Sequence, residues 1–127
     1  MSFSTERTQA LQKANSKTTK GKSEANILTA KIVQFLTDKE HFASRLNSTG
    51  ILRNGQMTYG TQKNGLPDVI SVIHGQFVGW EIKVGDDRPS QDQLRRRDEI
   101  IKAGGLYHFV SSFDEFQQLY NLNKWKI

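Results

Sequence analysis

The stretch GLPDVISVIHGQFVGWEIKV, residues 65–84, decides the fold. Two of its runs, 68–73 and 77–84, are rich in β-branched and aromatic residues, and His74-Gly75-Gln76 separates them. We therefore expect two antiparallel strands joined as a hairpin. Pro67 suits the position before the first strand, where the ladder needs no N–H group.

This hairpin carries charges where a buried strand would be apolar. Asp68 opens the first strand, and Glu81 and Lys83 lie two residues apart on the second. Residues i and i+2 of a strand project from the same face, so Glu81 and Lys83 project together. A divalent cation held by Asp68 and Glu81 would offset the cost of burying their charges. The alternative is a salt bridge between Lys83 and a carboxylate on a solvated face.

The segments on either side of the hairpin predict the rest of the fold. Upstream, we expect a helix capped by Ser23, a short strand over 41–47 and a second hairpin over 51–59. Downstream, two capping boxes, Ser90 with Gln93 and Ser112 with Glu115, predict the starts of two helices. Gly104-Gly105 predicts the end of the first helix, and we expect a strand over 106–110 between the two helices. The order helix, strands, helix, strand, helix predicts an α/β fold with a mixed sheet.

Composition limits the class of protein. The 127 residues suit one domain, and the absence of cysteine excludes disulfides and thiolate metal sites. No apolar run approaches the roughly 20 residues of a membrane span, so we expect no membrane partner, and the absence of cysteine favours a cytoplasmic location. The balance of 18 basic and 13 acidic residues, net +5, favours a polyanionic partner.

The charge is concentrated at the start of the chain. Residues 1–22 carry five basic side chains and one acidic side chain, which is +4 of the net +5. We interpret 1–22 as a flexible basic arm and 23–127 as the folded domain. The arm either solubilises the protein or seeks phosphate groups.

The letters Pro67-Asp68 and Glu81-x-Lys83 match the PD-(D/E)XK nuclease signature. Residues 24–116, about three quarters of the chain, resemble the stand-alone phage or viral type of VRR-NUC (virus-type replication-repair nuclease) domain. The resemblance rests on a Gly-x-Pro-Asp turn, a Glu-x-Lys strand, a Ser-x-x-Gln helix start and a Gly-Gly pair. It implies a restriction-endonuclease-like core, with a mixed central β-sheet flanked by helices, and a host-cytoplasmic location if a phage encodes the protein.

The resemblance also implies roles for individual residues. Asp68 and Glu81 would be metal ligands, Lys83 the catalytic lysine, and Gln93 a helix residue bordering the site. Glu24 corresponds to an acidic residue on the first helix of these nucleases and would be a further catalytic residue and ligand. Its position in an apolar stripe agrees, although a glutamate near a helix N-terminus is also favourable through the helix dipole.

Basic and polar residues near these positions are candidate DNA contacts, although ordinary surface charge also explains each of them. On the second helix, Arg95 points away from the face of Gln93. The candidates are Arg45, Asn47, Arg53, Lys63, Arg96 and Arg97.

The predicted function is that of an endodeoxyribonuclease dependent on Mg²⁺ or Mn²⁺. Stand-alone members of the family resemble dimeric junction-resolving enzymes, so we expect a homodimer that cuts four-way (Holliday) DNA junctions. The alternatives are a flap nuclease, a non-catalytic DNA-binding module and, third, a structural role. The candidate dimer contacts are Ile51, Leu52, Met57, Tyr59 and Trp125.

Overall fold

A computed structural model describes residues 20–46, 51–58 and 64–125, and the predicted order of elements is confirmed there. Within these ranges, no helix has the length and apolar character needed to cross a membrane. The elements are α1 (Lys20–Asp38), β1 (Phe42–Arg45), β2 (Ile51–Arg53), β3 (Gln56–Thr58), β4 (Val69–Ile73), β5 (Gln76–Ile82), α2 (Gln91–Lys102), β6 (Leu106–Val110) and α3 (Phe113–Leu122).

Four strands form the central mixed sheet in the order β1-β4-β5-β6. The predicted hairpin of β4 and β5 is confirmed, with Val69 opposite Trp80 and a turn at His74-Gly75 where both residues have positive φ. β1 is antiparallel to β4, whereas β6 is parallel to β5 and is reached through α2. The sheet is therefore an antiparallel hairpin extended on one side by the antiparallel strand β1 and on the other by the parallel strand β6.

The hairpin predicted around Asn54-Gly55 is also confirmed, as β2 paired with β3 in a separate two-stranded sheet. Both turn residues have positive φ, 52° at Asn54 and 76° at Gly55. A two-residue hairpin turn of this kind favours an Asn-Gly sequence, because these two residues tolerate left-handed backbone.

The hydrophobic core lies between one face of the central sheet and the helices α1 and α3. Trp80 packs its ring 4.6 Å from that of Phe116, and its Nε1 donates to Ser71 Oγ at 3.0 Å. Ser71 Oγ donates in turn to the Val78 carbonyl at 2.7 Å, so these polar groups are paired inside the core. The buried apolar side chains are Leu28, Ile32, Leu36, Val69, Ile73, Val78, Trp80, Ile82, Val110 and Phe116.

Of the three predicted helix starts, the structure confirms those of α2 and α3, corrects the capping of α3, and moves the start of α1. The Ser90–Gln93 capping box is present, but Ser23 lies inside α1 instead of capping it, and α1 includes Lys20–Lys22 of the predicted arm. The rest of the arm lies outside the described residues. Ser112 caps α3, but the side chain of Glu115 accepts from the backbone N–H of Ser111, so that capping box is incomplete.

Candidate active site

The β4–β5 hairpin brings Asp68, Glu81 and Lys83 to one end of the sheet. Lys83 Nζ lies 3.5 Å from Glu81 Oε2, which confirms that the two side chains share a face. Asp68 Oδ2 accepts a hydrogen bond from the Ile82 backbone N–H at 2.9 Å, across the hairpin. The Lys83 backbone N–H donates to the Val110 carbonyl at 2.8 Å, so the strand remains anchored beyond its end.

Gln93, on the first turn of α2, also contacts Glu81. Its Nε2 donates to Glu81 Oε2 at 2.7 Å, while its Oε1 accepts from the Ser90 backbone N–H at 2.9 Å. The capping box therefore fixes the side chain that orients the carboxylate. Glu81 Oε2 is held by Gln93 and lies beside Lys83.

The other oxygen of the same carboxylate, Oε1, has no hydrogen-bond partner. Glu81 is 4% exposed, and Oε1 is the sole buried side-chain polar atom without a partner in the described part of the chain. Burial raises the pKa of Glu81 to about 7, with a smaller contribution from the charge of Asp68, while the charge of Lys83 acts in the opposite direction. A buried oxygen left unpaired costs stability, and a bound cation would satisfy it.

The turn before Asp68 fits closely against α2 and β6. Gly65 has φ +82°, and a Cβ there would lie 2.3 Å from the Asp92 carbonyl oxygen. Tyr107, on β6, donates from its hydroxyl to the Gly65 carbonyl at 3.1 Å. Because Asp92 precedes Gln93 and Gly65 lies three residues before Asp68, the close packing of Gly65 against Asp92 fixes the position of Asp68 relative to Gln93.

Sequence reasoning did not identify Tyr107 as part of the site. Its side chain is buried, and burial followed by the charges of Glu81 and Asp68 raises the pKa of its hydroxyl far above the usual value. The spacing of Tyr107 from the hairpin depends on the register of the parallel pair β5–β6, for which the sequence carries no local signal.

Glu24 lies at the same end of the sheet but is not joined to the carboxylate pair. It is exposed on α1 and lines a cleft together with Val84 and Gly85, the residues that follow Lys83. In the described ranges, no three His, Cys, Asp or Glu side chains form a cluster that could hold a metal ion. The role of Glu24 as a further ligand stays a prediction.

The basic residues of α2 differ in their surroundings. Arg96 is 12% exposed; its Nε donates to the Asn64 carbonyl at 2.7 Å and its Nη1 pairs with Glu99 at 2.5 Å. Arg97 is 37% exposed; its Nη2 lies 3.2 Å from Oδ1 of the exposed Asp98, and its guanidinium lies 6.0 Å from the centre of the Phe109 ring. Arg96 is therefore already engaged in holding the Gly65 turn, whereas Arg97 is more accessible. Arg95 is 61% exposed, and its Nη1 lies 3.6 Å from Asp92 Oδ1.

The remaining predicted contacts are only partly described. Arg45 is exposed, and its Nη2 donates to Asn26 Oδ1 at 2.6 Å. Trp125 packs within the chain, where its Nε1 donates to the Tyr120 carbonyl at 3.1 Å. The positions or side chains that lie outside the description are Asn47, Ile51, Leu52, Arg53, Met57, Tyr59 and Lys63.

A comparison with solved structures supports this architecture. The chain is similar to a structure described as "VRR_NUC domain", with a TM-score of 0.60 and 17% sequence identity. The match covers 80% of this chain and 98% of that chain. No protein-family profile matches the sequence, and no curated protein matches it.

The protein therefore has the fold of a VRR_NUC domain. The mixed four-stranded sheet with flanking helices confirms the predicted fold class, and the predicted resemblance is confirmed at the level of the fold.

Proposed function

We propose that the protein is a metal-dependent nuclease that hydrolyses DNA phosphodiester bonds. The observation that carries this proposal is the unpaired, buried oxygen Oε1 of Glu81 beside Asp68 and Lys83. A structural ion pair would gain nothing from such an oxygen, because burial without a partner is unfavourable, whereas a bound cation would satisfy it. The fold shared with a VRR_NUC domain supports the same function.

The donor set fits Mg²⁺ or Mn²⁺. Both candidate ligands, Asp68 and Glu81, offer carboxylate oxygens, which hard divalent cations prefer, and the orphaned Oε1 needs a positive partner. When bound, such an ion would supply positive charge near the phosphate and lower the pKa of water.

The chain's own residues supply the remaining chemistry. The Lys83 ammonium, which is 13% exposed, would donate to the attacking water or to a phosphate oxygen and so offset negative charge in the transition state. The water oxygen bonds to phosphorus as the bond to the leaving oxygen breaks; the leaving oxygen takes up a proton, and water loses one to solvent. Gln93 positions Glu81 and does not react.

DNA would be held by basic groups around this site. Arg97 is the best-placed cation on α2, because its side chain is accessible and its charge acts on Tyr107 beside the carboxylates. We also assign Arg45, Asn47, Arg53 and Lys63 to contacts with the DNA backbone, and Arg96 to a secondary role because the Asn64 carbonyl and Glu99 already engage it.

We further propose that two copies act together on four-way junctions. Resolution of such a junction needs two matched cuts, and a two-fold dimer offers two sites with the same symmetry as the junction. The described part of the chain brings together one carboxylate pair of this kind, so a second copy would supply the second site.

A cleavage assay tests the proposed function. Labelled four-way junction, flap, duplex and single-stranded DNAs are incubated with the protein in Mg²⁺, Mn²⁺ or EDTA. We expect cleavage with either metal, none in EDTA, and a preference for the junction. Light scattering should give twice the 14.5 kDa chain mass. DNA binding without metal-dependent cleavage would instead identify a non-catalytic DNA-binding module.

A further inference from the structure

The turn that leads into Asp68 is held by side chains from two other elements. Arg96, on α2, donates from Nε to the Asn64 carbonyl at 2.7 Å. Tyr107, on β6, donates from its hydroxyl to the Gly65 carbonyl at 3.1 Å. Two consecutive carbonyl groups of the turn are therefore fixed by residues that lie 32 and 42 positions further along the chain.

The same turn packs against the sheet through its proline. Gly79, on β5, is the register partner of Tyr107, and a Cβ added at Gly79 would lie 2.7 Å from Pro67 Cγ and 3.5 Å from Tyr107 Cδ2. Both rings therefore lie over the space that the missing side chain leaves. Gly79 and Glu81 are two residues apart on one strand, so this packing is on the face of the sheet that carries Glu81.

The hydroxyl of Tyr107 is buried close to the candidate metal ligands. Tyr107 is 3% exposed, and burial followed by the charges of Glu81 and Asp68 raises the pKa of its hydroxyl far above the usual value. The hydroxyl therefore keeps its proton at neutral pH and acts as a hydrogen-bond donor. Phenylalanine would fill nearly the same space, so the specific contribution of tyrosine here is the hydrogen bond to the Gly65 carbonyl.

We propose that Tyr107 is a positioning residue for the metal site, because its ring and hydroxyl hold the turn that sets Asp68 relative to Glu81. The inference rests on the proposed nuclease function and deepens it. Once the turn is placed, the hydrogen bond from the Ile82 N–H to Asp68 Oδ2 orients the carboxylate. Groups that orient metal ligands from outside the coordination sphere tune metal affinity. Because the Tyr107 hydroxyl is directed at the turn, its loss should weaken metal binding more than it slows cleavage at saturating metal.

The direct test removes the hydroxyl alone. Tyr107→Phe is compared with Tyr120→Phe, which also loses one hydrogen-bonded tyrosine hydroxyl, but at the opposite end of the β4–β5 hairpin. Isothermal titration calorimetry measures Mn²⁺ affinity, and junction cleavage gives the maximal rate and the Mn²⁺ concentration at half of that rate. We expect Tyr107→Phe to bind Mn²⁺ about tenfold more weakly and to need about tenfold more Mn²⁺, with a maximal rate within about threefold of the wild type. Tyr120→Phe should match the wild type in all three quantities.

A second pair of variants tests the packing of the turn on the sheet. Gly79→Ala would press on Pro67, and a proline ring cannot rotate away from its own backbone, so the chain before Asp68 must move. The matched control is Gly105→Ala, where the added Cβ would lie 2.9 Å from Ile100 Cγ2, a side-chain methyl that is not part of the turn. We expect Gly79→Ala to lose at least about tenfold in Mn²⁺ affinity and Gly105→Ala to keep it, although urea unfolding should show that both are destabilised.

The possible outcomes separate this inference from the proposed function. Unchanged Mn²⁺ affinity in Tyr107→Phe, or an equal loss in Tyr120→Phe, would overturn the positioning role and leave the proposed function standing. A lower maximal rate without a loss of affinity would place Tyr107 in the chemistry and would also overturn the positioning role. Absence of Mn²⁺ binding and of metal-dependent cleavage in the unaltered protein would overturn both.

Discussion

The two ends of the β4–β5 hairpin both gather titratable side chains, but in opposite ways. At the end formed by Asp68 and Ile82, the carboxylate of Glu81 is buried with one oxygen unpaired. At the turn end, His41 and Tyr120 satisfy each other, with 2.7 Å between Nε2 and the hydroxyl oxygen. We refer to these as the carboxylate end and the histidine end.

The histidine end is built from aromatic packing. The ring of His41 lies 4.9 Å from that of His74, and the ring of Tyr120 lies 5.6 Å from that of Trp125. The pKa of His41 is lowered mainly by burial and, to a smaller extent, by the neighbouring His74 and Lys39. The lowered pKa favours the neutral imidazole ring. The contacts join the end of α1, the hairpin turn and the end of α3, as expected of a structural cluster.

The contrast separates structure from function. Polar groups that satisfy one another stabilise a fold, whereas a buried carboxylate with a raised pKa and an unpaired oxygen is costly and is a candidate functional site. Substitutions of the charged side chains Asp68, Glu81 and Lys83 should therefore remove activity and spare stability, and substitutions in the aromatic cluster of the histidine end should do the reverse.

The largest expected effect is on cleavage. Lys83→Ala, Asp68→Asn and Glu81→Gln should each reduce the cleavage rate by about 10³-fold or more, because each removes charge that acts on the phosphate or its metal. DNA binding should persist. Lys102→Ala, an exposed lysine in the last turn of α2, is the control for Lys83→Ala. Normal cleavage by Lys83→Ala would refute the assignment.

The second effect is on the stability of the turns at the two ends. Gly65→Ala should destabilise the protein by about 3 kcal/mol, since its Cβ would clash with the Asp92 carbonyl as well as adopt positive φ. Gly75→Ala, at the hairpin turn, has the same φ of +82° but nothing within 4 Å. It should cost only about 1–2 kcal/mol. Urea unfolding measures both, and equal losses would show that the Gly65 turn is not tightly packed.

The third effect is a gain in stability from Glu81→Gln in EDTA. In the folded protein the pKa of Glu81 is raised to about 7, against about 4.3 in an unfolded chain, so folding favours the protonated carboxyl. The stability of the wild type should fall as pH rises from about 4.3 to 7, and Glu81→Gln should escape that fall. A pKa difference of about 2.7 corresponds to at most about 4 kcal/mol, so at pH 8 the variant should be more stable by about 2–4 kcal/mol. Thermal unfolding from pH 5 to 8 tests the sign, and a parallel loss in both proteins would contradict it.

The smallest effect lies at the histidine end. Tyr120→Phe removes the hydroxyl that pairs with His41 and should cost about 1 kcal/mol of unfolding free energy. Cleavage should be unchanged, because the cluster lies at the opposite end of the hairpin. Urea unfolding and the junction assay are run on the same preparation. A cleavage defect without a stability defect would reverse the comparison between the two ends.

Local patterns predicted much of the fold and part of the site. The strand period of two placed Glu81 and Lys83 on one face, and the i, i+3 relation of a capping box placed Gln93 at the start of α2. Each of these features depends on residues only two or three positions apart, so it can be predicted without knowing how distant elements pack.

Longer-range features were not predictable in this way. The contacts of Gly65 with Tyr107 and of Arg96 with the Asn64 carbonyl depend on how separate elements pack. The start of α1 was misplaced because its first residues, Lys20–Lys22, carry no apolar side chain that would mark a helix.

The most direct test of the central claim is metal binding to Glu81. Isothermal titration calorimetry with Mn²⁺ at pH 7, in two buffers of different ionisation enthalpy, measures both affinity and proton release. Because the pKa of Glu81 is about 7, we expect the wild type to release roughly half a proton on binding. Glu81→Gln should bind at least about tenfold more weakly and release none, while Glu40→Gln, at an exposed position near the histidine end, should match the wild type. Equal affinity and equal proton release in all three proteins would contradict the account.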